Sequence, residues 1–115
     1  MSERFSTRER IRRRVDYLRI QREGSRTRGR FVTLVGLPNG SDTPRLGVTA
    51  SRRLGAAAAR NRAKRLIREV FRRNKPAQGL DLVVIPRREL LDASFAAVQE
   101  DFRSTLRRYV RTTRL

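Results

Sequence analysis

Arg45-Leu-Gly-Val-Thr-Ala-Ser51 runs, through Arg52-Arg-Leu-Gly55, into Ala57-Ala-Ala-Arg-Asn-Arg-Ala-Lys-Arg-Leu-Ile-Arg-Glu-Val-Phe-Arg-Arg73, and between the two the apolar period changes from two residues to about 3.6. In the first half Leu46, Val48 and Ala50 fall on one side and Arg45, Gly47, Thr49 and Ser51 on the other, the pattern of a strand with one polar face. In the second half, at about 100° per residue, Ala59, Ala63, Leu66, Ile67, Val70 and Phe71 share one arc and Arg60, Lys64, Arg65, Arg68 and Arg72 lie opposite. A strand feeding an amphipathic helix predicts a sheet covered by helices.

Only Glu69 interrupts the cationic arc. Arg60, Lys64, Arg68 and Arg72 make three successive like-charge pairs four residues apart, a repulsion of about 1 kcal/mol in total. A helix selected only for water mixes its signs, so this row implies an absent polyanion. Arginine predominates, and its planar fork suits bidentate phosphate contact and base stacking better than an ammonium does.

Composition points the same way. The 115 residues carry 29 Lys+Arg against 11 Asp+Glu, a formal charge of +18, with 37% hydrophobic residues, enough for one modest core. Residues 1–115 therefore read as one domain, with 1–6 and 111–115 expected to fray. No stretch approaches the ~20 apolar residues of a membrane span, and the N-terminus lacks the apolar centre of a signal peptide, so the expected location is the cytoplasm, away from membranes. Cysteine and histidine are absent, which excludes disulfides, thiolate chemistry, structural zinc and an imidazole base. The acids are scattered, and the only adjacent pair, Glu100-Asp101, points to different sides of an expected helix. The polypeptide is not expected to catalyse alone.

Outward from the central stretch, Ser6-Thr-Arg-Glu9 reads as a capping box, followed by an apolar stripe of Ile11, Val15 and Leu18 on a helix ending near Gly24. A polar bend at 24–29, with room for a short edge strand, precedes a buried strand over 30–37. Pro38-Asn-Gly40 is expected to close a hairpin onto the strand at 45–51. The Arg-rich helix should end near Asn74 and Pro76, before a strand at Leu80-Asp-Leu-Val-Val-Ile-Pro86. A last helix starts at Asp92 or Ser94 and packs Phe95, Val98, Phe102, Leu106 and Tyr109 into the core. The expected order is α-β-β-β-α-β-α, an α+β, two-layer α-β sandwich whose small central sheet is covered by helices.

Arg60-Asn-Arg62 with Lys64, Arg65 and Arg68, preceded by Arg45-Leu-Gly-Val-Thr-Ala-Ser-Arg-Arg-Leu-Gly55 and followed by Asp81-Leu-Val-Val-Ile-Pro86, resembles the protein subunit of bacterial ribonuclease P. The likeness spans roughly Arg8 to Val110. It implies two parallel strands joined through the Arg-rich helix by a left-handed crossover, where general rules favour the right-handed form. It also implies a protein cofactor to a catalytic RNA that removes the 5′ leader of precursor tRNA. The implied partners are that RNA and precursor tRNA, with the protein a monomer in a 1:1 complex. Mg²⁺ would be held mainly by RNA phosphates.

The resemblance further implies two surfaces. Arg60, Asn61, Arg62, Lys64, Arg65 and Arg68, extended by Arg52 and Arg53, would meet the catalytic RNA near the cleavage site. A cleft between the first helix and the sheet would hold the leader, using Tyr17, Arg13, Arg14, Phe31, Val35, Arg45, Thr49 and Ser51. Tyr17 with neighbouring arginines suits base stacking and phosphate contact, and Thr49 and Ser51 suit phosphates or 2′-hydroxyls. Gln21 and Val35 stand where the family often has aromatics. The competing reading is a ribosomal or other structural RNA-binding protein with no part in cleavage; a DNA regulator or a self-sufficient ribonuclease fits less well.

Overall fold

The computed structural model describes residues 5–113. In chain order they form α1 (Arg14–Glu23), β1 (Ser25–Arg28), β2 (Val32–Pro38), β3 (Arg45–Val48), α2 (Ala57–Arg73), β4 (Leu80–Pro86) and α3 (Phe95–Thr113). This is the expected α-β-β-β-α-β-α order, and the fold is the expected α+β sandwich. The terminal residues 1–4 and 114–115, part of the segments expected to fray, lie outside the described residues. Within them, Phe5 packs edge-on against Phe71 with ring centroids 5.6 Å apart, and α3 stays helical through Thr113.

The sheet order is β1-β2-β4-β3, so β2 and β3 do not form the hairpin expected at Pro38-Asn-Gly40. β4 enters between them, antiparallel to β2 from Val32↔Pro86 to Pro38↔Leu80 and parallel to β3 from Arg45↔Asp81 to Val48↔Val84. The reason is burial. β2 and β4 are apolar on both faces and belong in the middle of the sheet, whereas β1 and β3 carry arginines suited to an edge. Asn39 organises the loop instead: its side-chain NH₂ donates to the Thr43 carbonyl and to Asp81, and its oxygen accepts from Ser41. The true hairpin is β1–β2, and its connection is held by Asp101, whose carboxylate accepts the backbone N–H groups of Arg30, Phe31 and Val32.

One sheet face carries Val32, Leu34, Leu46, Leu82 and Val84 against Ala63, Ile67, Val70 and Phe71 of α2 and Val98, Phe102 and Tyr109 of α3. The hand of the β3-α2-β4 crossover follows from one hydrogen bond on this face. The Val84 side chain points to the helix layer and its carbonyl accepts from Thr49 N–H, just beyond β3. For an L-residue in an upward strand, with its side chain toward the viewer, the backbone N–H and C=O point to the right. β3 therefore lies to the right of β4, and the chain passes leftward across the front through α2. The crossover is left-handed, against the general preference.

The opposite face is only partly covered, by α1. The residues expected to form the inner stripe of that helix do otherwise: Val15 and Leu18 are 56% and 46% exposed, and Ile11 is buried but precedes the helix. The Ser6/Glu9 capping box exists, yet it closes a 3₁₀ turn, Thr7–Glu9. Residues 10–13 then run as an extended strap along the edge of β3, with an Arg10↔Leu46 bridge and Ile11 N–H donating to the Leu46 carbonyl. Pairing with an open edge strand competes with helix formation here, and the register shift makes Ile20 and Tyr17 the inward residues, packed with Ile11, Val35 and Val83.

Candidate nucleic-acid interface

Ala63, Ile67, Val70 and Phe71 pin α2 to the sheet, and the other side of the helix points to solvent. Asn61, Arg62 and Arg65 are exposed, while Arg60, Lys64 and Arg68 are half-buried along their stems. Among the described residues none of Arg60, Arg62, Lys64, Arg65 and Arg68 pairs with an acid. Glu69 serves the far end of the helix instead, bound by Arg72 through two nitrogens and by Arg73 at 2.8 Å. Arg72 thus leaves the cationic arc to which its spacing assigned it.

Arg52 and Arg53 are exposed on a 3₁₀ turn, Arg52–Leu54, just before α2. Gly55 takes φ 142° to make the approach, a conformation that side chains strain to adopt. Ala56 at the N-cap offers no side-chain acceptor, and the first turn holds no acid. The first amide groups of α2 are left to solvent or an anion.

The second predicted surface is only partly assembled. A hollow of about 410 Å³ lies between α1 and the sheet, lined by Arg12, Arg14, Tyr17, Leu18, Gln21 and Thr49. Tyr17 is half-buried with its ring over Gly47. Burial pushes its phenol pKa up, partly offset by a hydrogen bond with the Val48 backbone and by the nearby Arg68 charge. Arg13 is exposed at the α1 N-cap, and Ser51 is exposed at the start of the next turn.

Three residues assigned to the cleft lie elsewhere. Val35 is 1% exposed beneath α1. Phe31 belongs to the core on the helix side, with Arg30 stacked 5.0 Å from its ring centre. Arg45 binds buried Asp81 through two nitrogens, at 2.7 and 2.6 Å, and Arg19 reaches the same carboxylate at 3.4 Å. Burial pushes the Asp81 carboxyl up, but hydrogen bonds from Arg45 and Asn39 and the two positive charges outweigh it, and its pKa lies below the usual 3.8. Three residues that line the hollow, Arg12, Leu18 and Gln21, were not assigned to the cleft in the sequence. Arg12 lines the hollow only because the strap is extended, and Leu18 because its face of α1 is uncovered.

The two surfaces meet. A cavity of about 150 Å³ beside Tyr17 is lined by Arg10 and Arg12 of the strap and by Arg68 of α2. No group of three or more acids that could hold a metal ion occurs among the described residues. Asp81, Glu69 and Asp101 each already serve cations or backbone N–H groups, so none of these three carboxylates stands free for a metal ion. No helix among the described residues is long and apolar enough to cross a membrane.

Residues 5–110 match the family model described as Ribonuclease P. The ribonuclease P protein component of Thermotoga maritima is 40% identical over 114 residues, covering 94% of this chain and 97% of the relative. That of Syntrophus aciditrophicus is 42% identical over 92 residues, covering 78% and 77%. Among solved structures, the T. maritima RNase P protein superposes with a TM-score of 0.79 at 40% identity, over 87% of this chain and 96% of the other. The Staphylococcus aureus RNase P protein gives 0.77 at 32% identity, over 86% and 93%.

Proposed function

The chain belongs to the ribonuclease P protein family, and from that membership we propose that it is the protein cofactor of a ribonucleoprotein that cleaves the 5′ leader from precursor tRNA. One observation carries the reading: the row Arg60, Arg62, Lys64, Arg65 and Arg68 lacks acid partners among the described residues and continues, through Arg68, into the small cavity beside Tyr17.

In this reading the α2 row lies on the catalytic RNA and neutralises phosphates that would otherwise repel one another and the substrate. Asn61 donates and accepts at a sugar or base edge. The leader enters between α1 and the sheet, with a base against Tyr17 and Leu18 and its phosphates near Arg12, Arg14 and Thr49. Val35, Phe31 and Arg45 act through the fold: the first two fill the core and the third anchors β3 to β4.

Catalysis is assigned to the RNA, with Mg²⁺ held by RNA phosphates and no ligand supplied by this chain. A cytoplasmic monomer in a 1:1 complex with the RNA completes the proposal. The test is cleavage of a 5′-labelled precursor tRNA at low Mg²⁺ by a bacterial ribonuclease P RNA, with and without the protein. Stimulated cleavage at the mature 5′ end, weakened by combined Arg60→Ala, Arg62→Ala and Arg65→Ala, is expected. Absence of stimulation by folded protein rejects the cofactor role in favour of a structural RNA-binding protein.

A further inference from the structure

We propose that Arg19 is a positioning residue: its ion pair with Asp81 sets the roll of α1 about its own axis and so keeps open the hollow that the leader enters. The proposal deepens the function given above and rests on it. By alternation from Val83, Asp81 points to the α1 face of the sheet. Its carboxylate, 1% exposed, receives donors from three separate elements: Arg45 of β3 at 2.7 and 2.6 Å, Asn39 of the loop after β2 at 3.0 Å, and Arg19 of α1 at 3.4 Å. Arg45 already neutralises the buried charge through two nitrogens, so burial does not depend on Arg19. What Arg19 adds is a link from the helix to the sheet.

The link matters because the apolar hold on α1 is thin. The helix has 10 residues, no side-chain cap at Arg13 and Ile20 as its one fully buried residue; isolated helices shorter than about 12–15 residues are marginal. Its ends are tethered by the strap, where Ile11 N–H donates to the Leu46 carbonyl, and by the passage through Gly24 into β1. Tethers at both ends fix where the helix lies and leave its rotation to the side chains. At about 100° per residue, Arg14, Leu18 and Gln21 fall on one flank of the inward pair Tyr17 and Ile20, and Asp16 and Arg19 on the other. The first flank lines the hollow, whereas Arg19 lines neither the hollow nor the small cavity. Val15 and Leu18, 56% and 46% exposed, would gain burial if α1 rolled toward the first flank, and that roll would close the hollow. The Arg19–Asp81 pair holds the opposite flank and opposes it.

The test compares the full-length protein with Arg19→Gln and Arg19→Lys. NOEs from the Tyr17 ring to Gly47 and from the Leu18 methyls to Thr49 would be recorded without RNA. The affinity of each protein, assembled with a bacterial ribonuclease P RNA, would be measured for precursor tRNA with a one-nucleotide or a longer leader. In Arg19→Gln the Tyr17–Gly47 NOEs should weaken and the Leu18–Thr49 NOEs strengthen, with the unfolding midpoint little changed. The affinity gained from the longer leader should fall by about fivefold or more, the lower end of what one stacked base supplies, while affinity for the catalytic RNA is kept. Arg19→Lys, which retains the charge, should recover both the NOEs and the gain. Unchanged NOEs overturn the proposal even if the gain falls, because Arg19 would then touch RNA directly. Altered NOEs with the gain intact overturn it as well, since the roll would not shape the hollow. A wild-type protein that gains nothing from the longer leader sinks the leader cleft itself and Arg19's role with it, whereas unchanged NOEs beside a wild-type gain sink only the tie.

Discussion

Tyr17 occupies the place where Gly47 would carry a side chain: a Cβ built on Gly47 falls 2.6 Å from the tyrosine hydroxyl oxygen and 2.7 Å from two ring carbons. The glycine is therefore a steric requirement of the cleft, since any methyl group there displaces the ring that the leader is proposed to meet. Gly47→Ala should cost about 1–3 kcal/mol of stability through overpacking and should weaken binding of a single-stranded leader RNA. Urea melts and fluorescence polarisation check both. A stable variant with unchanged affinity would remove Tyr17 from the binding surface.

The Asp81 cluster sets an acid limit on stability. Its carboxyl lies below the ordinary 3.8 in the folded chain. That of Glu9 lies below 4.5, because the Lys75 and Ser6 hydrogen bonds outweigh its burial. Depressed carboxyls stabilise the fold above their unfolded values, and the stability is lost as pH falls through the folded ones. Unfolding free energy should hold near neutrality and decline as pH drops below about 4.5. Asp81→Asn should flatten the lower part of that decline. At neutral pH it should cost about 2 kcal/mol, less than the ~3–5 of breaking a wholly buried pair, because the Arg45 side chain remains 29% exposed.

Asp101 closes the β1–β2 connection by accepting three successive backbone N–H groups. Asp101→Ala leaves partly buried donors unsatisfied and should destabilise by about 2–3 kcal/mol, whereas exposed Glu100→Ala, one residue away, should be nearly neutral. Equilibrium denaturation of the two variants compares the positions directly. Equal effects would contradict the bonding described.

Salt dependence reports the number of phosphates held. Changing Arg60, Arg62 and Arg65 to alanine should flatten the slope of log affinity against log salt by about 2–3 units, since each contact contributes roughly 0.7–0.9. An unchanged slope would place the RNA elsewhere.

Glu69→Gln tests the same surface in the opposite direction. The substitution releases Arg72 and Arg73 from the acid that binds them. RNA affinity at low salt should rise and the slope steepen by about 1–2 units. Loss of affinity would show that Glu69 positions those arginines for binding.

The sequence by itself determined the α+β class, the element order, the inner face of α2 and the cationic row opposite it, because these depend on periodicity and charge within single segments. It also separated the two faces of β3, since alternation over a few residues is a local property. The tertiary structure alone decided which strands are neighbours. A turn such as Pro38-Asn-Gly40 reads the same whether the next strand returns beside β2 or one place beyond, and the insertion of β4 is set by the burial of both its faces. Tertiary pairing likewise drew residues 10–13 out of the expected helix and onto the edge of β3, exchanging Val15 and Leu18 for Tyr17 and Ile20 as the inward residues. That exchange brings Arg10 and Arg12 to Arg68 across 58 and 56 residues of sequence, a proximity no spacing rule contains because it is created by the packing of separate elements.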